Sequence, residues 1–239
     1  MPAMIGLFPT CLGDAVHPQV VRDAERVLRA AGVETVPIPG ATCCGQPAWN
    51  SGFAADARRV ARRTVRAMAD LDAVVVPSGS CTAMMRLHWR HLFHGDRDQA
   101  LAERTSGRIF ELSQYLVDEV GAEALGTPLH RTVTYHDSCH MLRELRLAEQ
   151  PRRLLRAVAD LRELPRGERC CGFGGTFSVR YPGVATAMAD DKLASAAASG
   201  AGTVVSADPG CIMHVEGRAA RTGADVRVVH LATILAEAL

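Results

Sequence analysis

No run of eighteen apolar residues occurs anywhere in the chain, so the sequence offers no membrane-spanning helix. The first residues, MPAMIGLFPTCLG, lack a basic segment leading into a long apolar one, and no secretory signal is predicted. Neither sign of charge is in excess: 27 basic side chains face 26 acidic ones, for a net charge of +1. That balance removes the electrostatic footprint of a nucleic-acid or membrane-surface partner. No Ser-His-Asp arrangement, glycosidase-like carboxylate pair or amphipathic membrane helix stands out. The stretch CCGFGGTF, with Gly172, Gly174 and Gly175, does not follow the G-x-G-x-x-G spacing and lacks a phosphate-loop lysine. It is expected to be a tight turn, with Phe173 and Phe177 limiting water access. These absences predict a cytoplasmic protein without a flavin or nicotinamide site, a nucleic-acid partner or a membrane span.

What the chain does have is eight cysteines: Cys11, Cys43, Cys44, Cys81, Cys139, Cys170, Cys171 and Cys211. In a reducing compartment these are not expected to be disulfides. They fall into two sets with one grammar. The first reads C, 31 residues, CCG, 35 residues, C; the second reads C, 30 residues, CCG, 38 residues, C. Each cysteine of the first set maps onto one 127–130 positions later, the mark of an internal duplication. The duplication divides the 239 residues into two expected units, 1–120 and 121–239.

Secondary-structure signals repeat in the same order. In the first half, short apolar runs at 4–8, 33–38 and 73–76 predict strands. Helical spacing is clear at 18–31 and 54–69, and Ser80 is a candidate cap for a helix over 81–93. In the second half, strands are predicted at 132–135, 161–164, 203–206 and 226–229. Helices are predicted at 151–159, 184–199, 212–221 and 230–238. Residues 110–126 are read as a partly helical link that braces the halves. Alternation of this kind predicts an α/β fold of internally duplicated Rossmann-like units with mostly parallel sheets. The cysteines then lie just past the carboxyl ends of strands, where open α/β sheets bind ligands.

Four thiols per half suit a soft metal: zinc, copper(I) or an iron–sulfur cluster. A 4Fe-4S cluster takes four thiolates, and so does a structural zinc ion. The adjacent pairs favour the cluster. Neighbouring side chains diverge along an extended backbone, which suits several iron atoms better than one small ion. Gly45 and Gly172 allow close backbone approach and unusual dihedrals, and their N–H groups can point at sulfur. Cys81 and Cys211 are placed near helix N-termini, which favour the thiolate.

These residues resemble the cysteine-rich CCG family, which includes the catalytic subunit of heterodisulfide reductase and iron–sulfur subunits of glycolate- and glycerol-3-phosphate-oxidising complexes. The strings HDSCHMLREL, CCGFGGTFSVRYP and DPGCIMH are similar to the lactate utilisation protein A group. The resemblance covers nearly the whole chain. It implies an iron–sulfur electron-transfer subunit of a complex oxidising L-lactate to pyruvate, partnered by a ferredoxin-type iron–sulfur subunit and a third subunit. One or two clusters per chain are implied, held by Cys11, Cys43, Cys44 and Cys81 and by Cys139, Cys170, Cys171 and Cys211. The full family pattern has a fifth cysteine per site. Here Ser78 and Asp208 stand in those places, which leaves open a conventional four-thiolate cluster or one with an open iron.

Around the second set, His136, His140 and Asp208 are candidates for proton transfer or iron ligation; the plainer reading of His136, Asp137 and His140 is a local hydrogen-bonding turn, and that of Asp208 a cap of a turn or of the next helix. His88, His91 and His94 share a helix face and are expected in solvent. His214 is placed either toward the second site or in ordinary packing. Arg143, Arg146, Arg152 and Arg153 are expected on a solvated face or a partner interface. The rival readings are a thiol–disulfide reductase using the Cys43–Cys44 or Cys170–Cys171 pair, a structural zinc scaffold, and a sensor with a labile cluster.

Overall fold

A computed structural model describes residues 3–239. The first half runs β1 (Ile5–Leu7), α1 (Cys11–Ala15), α2 (Pro18–Ala30), β2 (Thr35–Val36), α3 (Gln46–Asn50), α4 (Ala54–Ala67), β3 (Ala73–Val76) and α5 (Gly79–Ala83). A π-helical segment, Met84–His88, joins α5 to α6 (Trp89–Leu92). Then come α7 (Gln99–Ser106), β4 (Ile109–Glu111), α8 (Leu112–Gln114) and a second π-helical segment, Tyr115–Glu119. The second half begins with β5 (Thr132–His136), the π-helical segment His140–Leu145, α9 (Glu149–Val158) and β6 (Asp160–Glu163). It ends with α10 (Thr176–Arg180), α11 (Pro182–Ser199), β7 (Thr203–Ser206), α12 (Pro209–Thr222), β8 (Arg227–His230) and α13 (Leu231–Glu237).

Each half builds one four-stranded sheet, ordered β2-β1-β3-β4 and β6-β5-β7-β8. Every strand pairing is parallel. The central strands, AVVV in β3 and TVVS in β7, are buried throughout, as strands covered on both faces must be. The fold is thus the duplicated α/β arrangement that the sequence pattern predicts.

Three large apolar layers, with a small cluster of Met141, Leu147 and Ala207 beside them, hold it together. The central one joins the halves: Leu7, Val27 and Leu28 of the first pack with Val133, Tyr135, Leu155 and Leu235 of the second. Leu112, Leu116 and Val117, from the segment read as a link, belong to this shared layer. Outer layers lie behind each sheet and include the buried cysteines Cys44 and Cys81 on one side and Cys171 and Cys211 on the other.

Some expectations give way to local chemistry. The strand expected over 33–38 shortens to two residues, because Pro37 and Pro39 have no N–H for the ladder. The cap of the helix after β3 is Ser78, whose Oγ accepts from the Cys81 N–H at 3.4 Å, and not Ser80. β3 ends at Val76, before Pro77, as expected, and the helix starts two residues sooner than a Ser80 cap would place it. β4 overlaps the start of the 110–126 segment, since three residues carry too little alternation to be seen. Arg152 is not solvated: its guanidinium forks onto Asp137 at 2.7 and 2.8 Å, also meets Glu163, and lies over the Tyr135 ring.

Candidate metal centre

In the first half, Thr10 caps α1 by accepting from the Gly13 N–H at 3.0 Å, which sets Cys11 at the first helical position. The Cys43–Cys44 loop is held from two sides. Thr64 Oγ1 donates to the Cys43 carbonyl and Trp89 Nε1 to the Cys44 carbonyl, both at 2.9 Å. Gly45 closes the loop at φ +91°, and a Cβ there would meet the Ala57 carbonyl oxygen at 2.8 Å. Cys81 lies in the first turn of α5. The sulfurs come together: Cys11 to Cys43 at 3.8 Å and Cys44 to Cys81 at 3.5 Å.

The second half repeats the construction. Cys139 follows β5, and Cys211 sits in the first turn of α12 behind Pro209. Gly172 closes the Cys170–Cys171 loop at φ +94°, with a Cβ position 2.7 Å from the Ala185 carbonyl oxygen. Cys171 and Cys211 sulfurs lie 3.1 Å apart. Backbone N–H groups serve the sulfurs directly: Gly45 donates to Cys43 and Gly172 to Cys170, each at 3.4 Å, and Phe173 donates to Cys171 at 3.5 Å. All eight cysteines are free thiols.

The electrostatics repeat as well. S–H donation from Cys11 and Cys44 pulls Cys43 down to about 3. Donation from Cys139 and Cys171 pulls Cys170 down to about 2. The donors are pushed the other way: Cys11 and Cys44 by their bonds to Cys43, and Cys139 and Cys171 by theirs to Cys170, with burial adding to each. In each set, therefore, Cys43 or Cys170 is the first to give up its proton, and the thiols that donate to it hold theirs more tightly. A bound metal supplies the positive charge that lets the rest ionise. The donor set fits a soft metal or an iron–sulfur group: four thiols per half, a glycine-closed loop, and N–H groups already aimed at sulfur.

Both sets face one cavity between the halves. Cys11 and Cys81 line it from one side and Cys139, Cys170, Cys171 and Cys211 from the other. The walls are tied together across the gap. Gln46 Nε2 donates to the Ser80 carbonyl at 3.0 Å and lies 3.1 Å from His140 Nε2. Gly79 N–H donates to the Ala207 carbonyl at 3.1 Å.

The other candidates separate into groups. His136 is buried, and one of its ring nitrogens lies within 4.8 Å of the Cys171 and Cys211 sulfurs. Burial holds its imidazole neutral, with a pKa lowered to about 3. His140 lines the cavity with Nδ1 3.6 Å from Cys139 Sγ. Asp208 acts as a cap: Oδ1 accepts from Gly210 N–H at 3.1 Å and Oδ2 from Ser80 N–H at 2.7 Å. Ser78, at the matching place in the first half, also caps its helix. His214 turns to the Ala185 carbonyl at 3.2 Å, with its ring tilted against that of Phe173 at 6.2 Å between centroids. His88 reaches Glu144 of the other half at 2.6 Å. Sequence reasoning missed Gln46, a polar side chain with no motif, and Lys192, a buried ammonium that donates to the Arg166 and Gly167 carbonyls.

The profile of the cysteine-rich CCG domain matches residues 5–86 and 133–216, one match in each half. The chain is similar over almost its full length to lactate utilization protein A of Geobacillus kaustophilus. The two are 43% identical over 235 residues, covering 97% of this chain and 98% of that protein. Lactate utilization protein A of Shouchella clausii is 42% identical over 234 residues, with 97% and 98% covered. Among solved structures, a hypothetical protein from Helicobacter pylori shares the fold, with a TM-score of 0.67 at 10% identity. All of this chain aligns with it, spanning about half (49%) of its length.

Proposed function

The chain belongs to the cysteine-rich CCG domain family, and from that premise we propose that it is an iron–sulfur electron-transfer subunit of a complex oxidising L-lactate to pyruvate. The observation that carries the metal part is the convergence of four free thiols at matched strand ends in each half. The substrate part is supported by the full-length similarity to two proteins named for lactate utilization. Each half supplies one ligand set: Cys11, Cys43, Cys44 and Cys81, then Cys139, Cys170, Cys171 and Cys211.

Bound 4Fe-4S clusters would supply one-electron steps, suited to collecting the electron pair that lactate oxidation releases. The chain's own residues hold the surroundings. Gly45, Gly172 and Phe173 direct N–H groups at the thiolates, which lowers the charge that the sulfurs present. Phe173 and the buried faces of Cys44 and Cys171 restrict water. His140, on the cavity wall, is positioned to carry a proton to or from a bound molecule. A ferredoxin-type subunit and a third subunit complete the proposed complex, in the cytoplasm. Among the described residues no helix is long and apolar enough to cross a membrane.

Deleting the gene from its host is expected to abolish growth on L-lactate as sole carbon source. The wild-type chain should restore growth and a Cys170→Ser chain should not. Unimpaired growth of the deletion strain would overturn the lactate assignment.

A further inference from the structure

The two cysteine sets are matched, but the residues behind them are not. Strand register aligns the halves: Ile5 of β1 pairs with Ala73 of β3, and Val133 of β5 pairs with Thr203 of β7. Counting on from Ile5 and Val133, Phe8 stands where His136 does, each three residues before the first cysteine of its set. Phe8 is fully buried in the apolar layer with Cys44 and Cys81. His136 is equally enclosed, 2% exposed, among groups that give it nothing to bond. Neither ring nitrogen has a hydrogen-bond partner among the described residues.

A buried imidazole with two unpaired nitrogens is costly, since each has surrendered its water for nothing. The charged neighbour that acts on it most, Lys192, is a cation that cannot accept its N–H and is engaged with two carbonyls. A phenyl ring is accommodated at the same place in the other half, so the site does not demand a polar residue for packing. What the imidazole does have nearby is sulfur: its ligand atom and those of Cys171 and Cys211 all lie within 4.8 Å of one another. Cys171 and Cys211 are the counterparts of Cys44 and Cys81, the two buried cysteines of the apolar layer that holds Phe8.

We propose that His136 supplies a nitrogen ligand to the metal centre of the second half, so that the two centres of the chain are chemically unlike. The first is held by thiolates alone and the second by thiolates and an imidazole. Where the imidazole takes an iron position that a thiolate fills in the first half, a neutral ligand stands in place of a negative one, so the second centre would carry the less negative ligand field and the higher reduction potential. The proposal rests on the cysteine-held centres proposed above. It places the electron-accepting end of the pair in the second half, beside the cavity wall that carries His140.

The test is nitrogen hyperfine coupling. The protein is isolated without oxygen, once with ordinary histidine and once with nitrogen-15 histidine, then reduced with dithionite and read by pulsed electron paramagnetic resonance. A strongly coupled nitrogen whose pattern changes with the isotope is expected. It should vanish in His136→Phe, which copies the first half, and persist in His140→Gln. His136→Gln should lose it too, and serves if the phenyl ring disturbs folding. Wild-type iron and sulfide without such a nitrogen, or a coupling that survives in His136→Phe, overturns the ligand and leaves the cysteine-held centres standing. A wild-type protein that binds no iron and no sulfide overturns the centres themselves, and the ligand with them.

Discussion

The Asp208 carboxylate of the second half accepts a hydrogen bond from the Ser80 N–H of the first at 2.7 Å. Its other oxygen caps its own helix through Gly210. One side chain thus joins the N-termini of the helices that carry Cys81 and Cys211. Asp208→Ala should leave both N–H groups without a partner and cost about 1–3 kcal/mol of stability. It should also lower metal content in both halves. Asp208→Asn, which keeps an acceptor oxygen, should recover much of the stability. Chemical denaturation of the two variants checks this. Equal losses would mean that charge, not acceptance, is what matters.

Gly45 and Gly172 hold left-handed dihedrals with a carbonyl oxygen where a Cβ would go. Gly45→Ala and Gly172→Ala should each destabilise the chain by about 1–3 kcal/mol. Each should also disturb metal binding in its own half while sparing the other. Metal content per variant, read beside unfolding curves, tests this independence. Loss of both centres from one substitution would show that the halves do not load separately.

Glu111 caps α8 by accepting from the Ser113 and Gln114 N–H groups, yet it is fully buried and burial raises its pKa to about 7. The folded chain therefore keeps this proton at pH values where the unfolded chain, near 4.5, has released it. Stability is lost as pH rises from about 4.5 to about 7, by about 3 kcal/mol at 1.36 kcal/mol per unit. The buried histidine His230, lowered to about 3, works in the opposite direction below 6.5. Subtraction against a variant isolates Glu111. The stability of Glu111→Gln relative to wild type should grow across pH 4.5–7 and then level off. A flat difference would contradict the assignment.

Lys192 is a buried ammonium whose charge acts on Cys171 and Cys211. The positions of Ala57 against Gly45 and of Ala185 against Gly172 align α4 with α11 and put Thr64 where Lys192 stands. A cation beside a centre favours its reduced, more negative state. Lys192→Met should lower the potential of the second centre by roughly 60 mV, tenfold in a one-electron equilibrium, and leave the first unmoved. Redox titration followed by electron paramagnetic resonance measures both at once. An unchanged second potential would show that the Lys192 charge does not act on the centre.

The duplication was readable because cysteines are rare and their spacing survives without any knowledge of the fold. β3 was readable as an unbroken apolar run, AVVV, and β7 as a short β-branched stretch between a glycine and a proline. Other features leave no local trace. The burial of Arg152 depends on Asp137, fifteen residues away, arriving beside it when β5 and α9 pack. The double duty of Asp208 depends on Ser80, 128 residues away. Its sequence showed a helix cap, and the cross-half bond came only with the docking of the two sheets. The π-helical segments Met84–His88 and His140–Leu145 have no composition that sets them apart from ordinary helix. The contrast between Phe8 and His136 was present in the aligned halves, but only burial and the missing partners gave it meaning.

Metal held by the cysteines is tested most directly by the iron, acid-labile sulfide and zinc content of protein isolated without oxygen, with electron paramagnetic resonance before and after dithionite. Iron and sulfide matching one or two 4Fe-4S clusters per chain, with a signal that appears or changes on reduction, is the predicted result. Zinc without sulfide, and no redox response, would contradict it and leave a structural scaffold in its place.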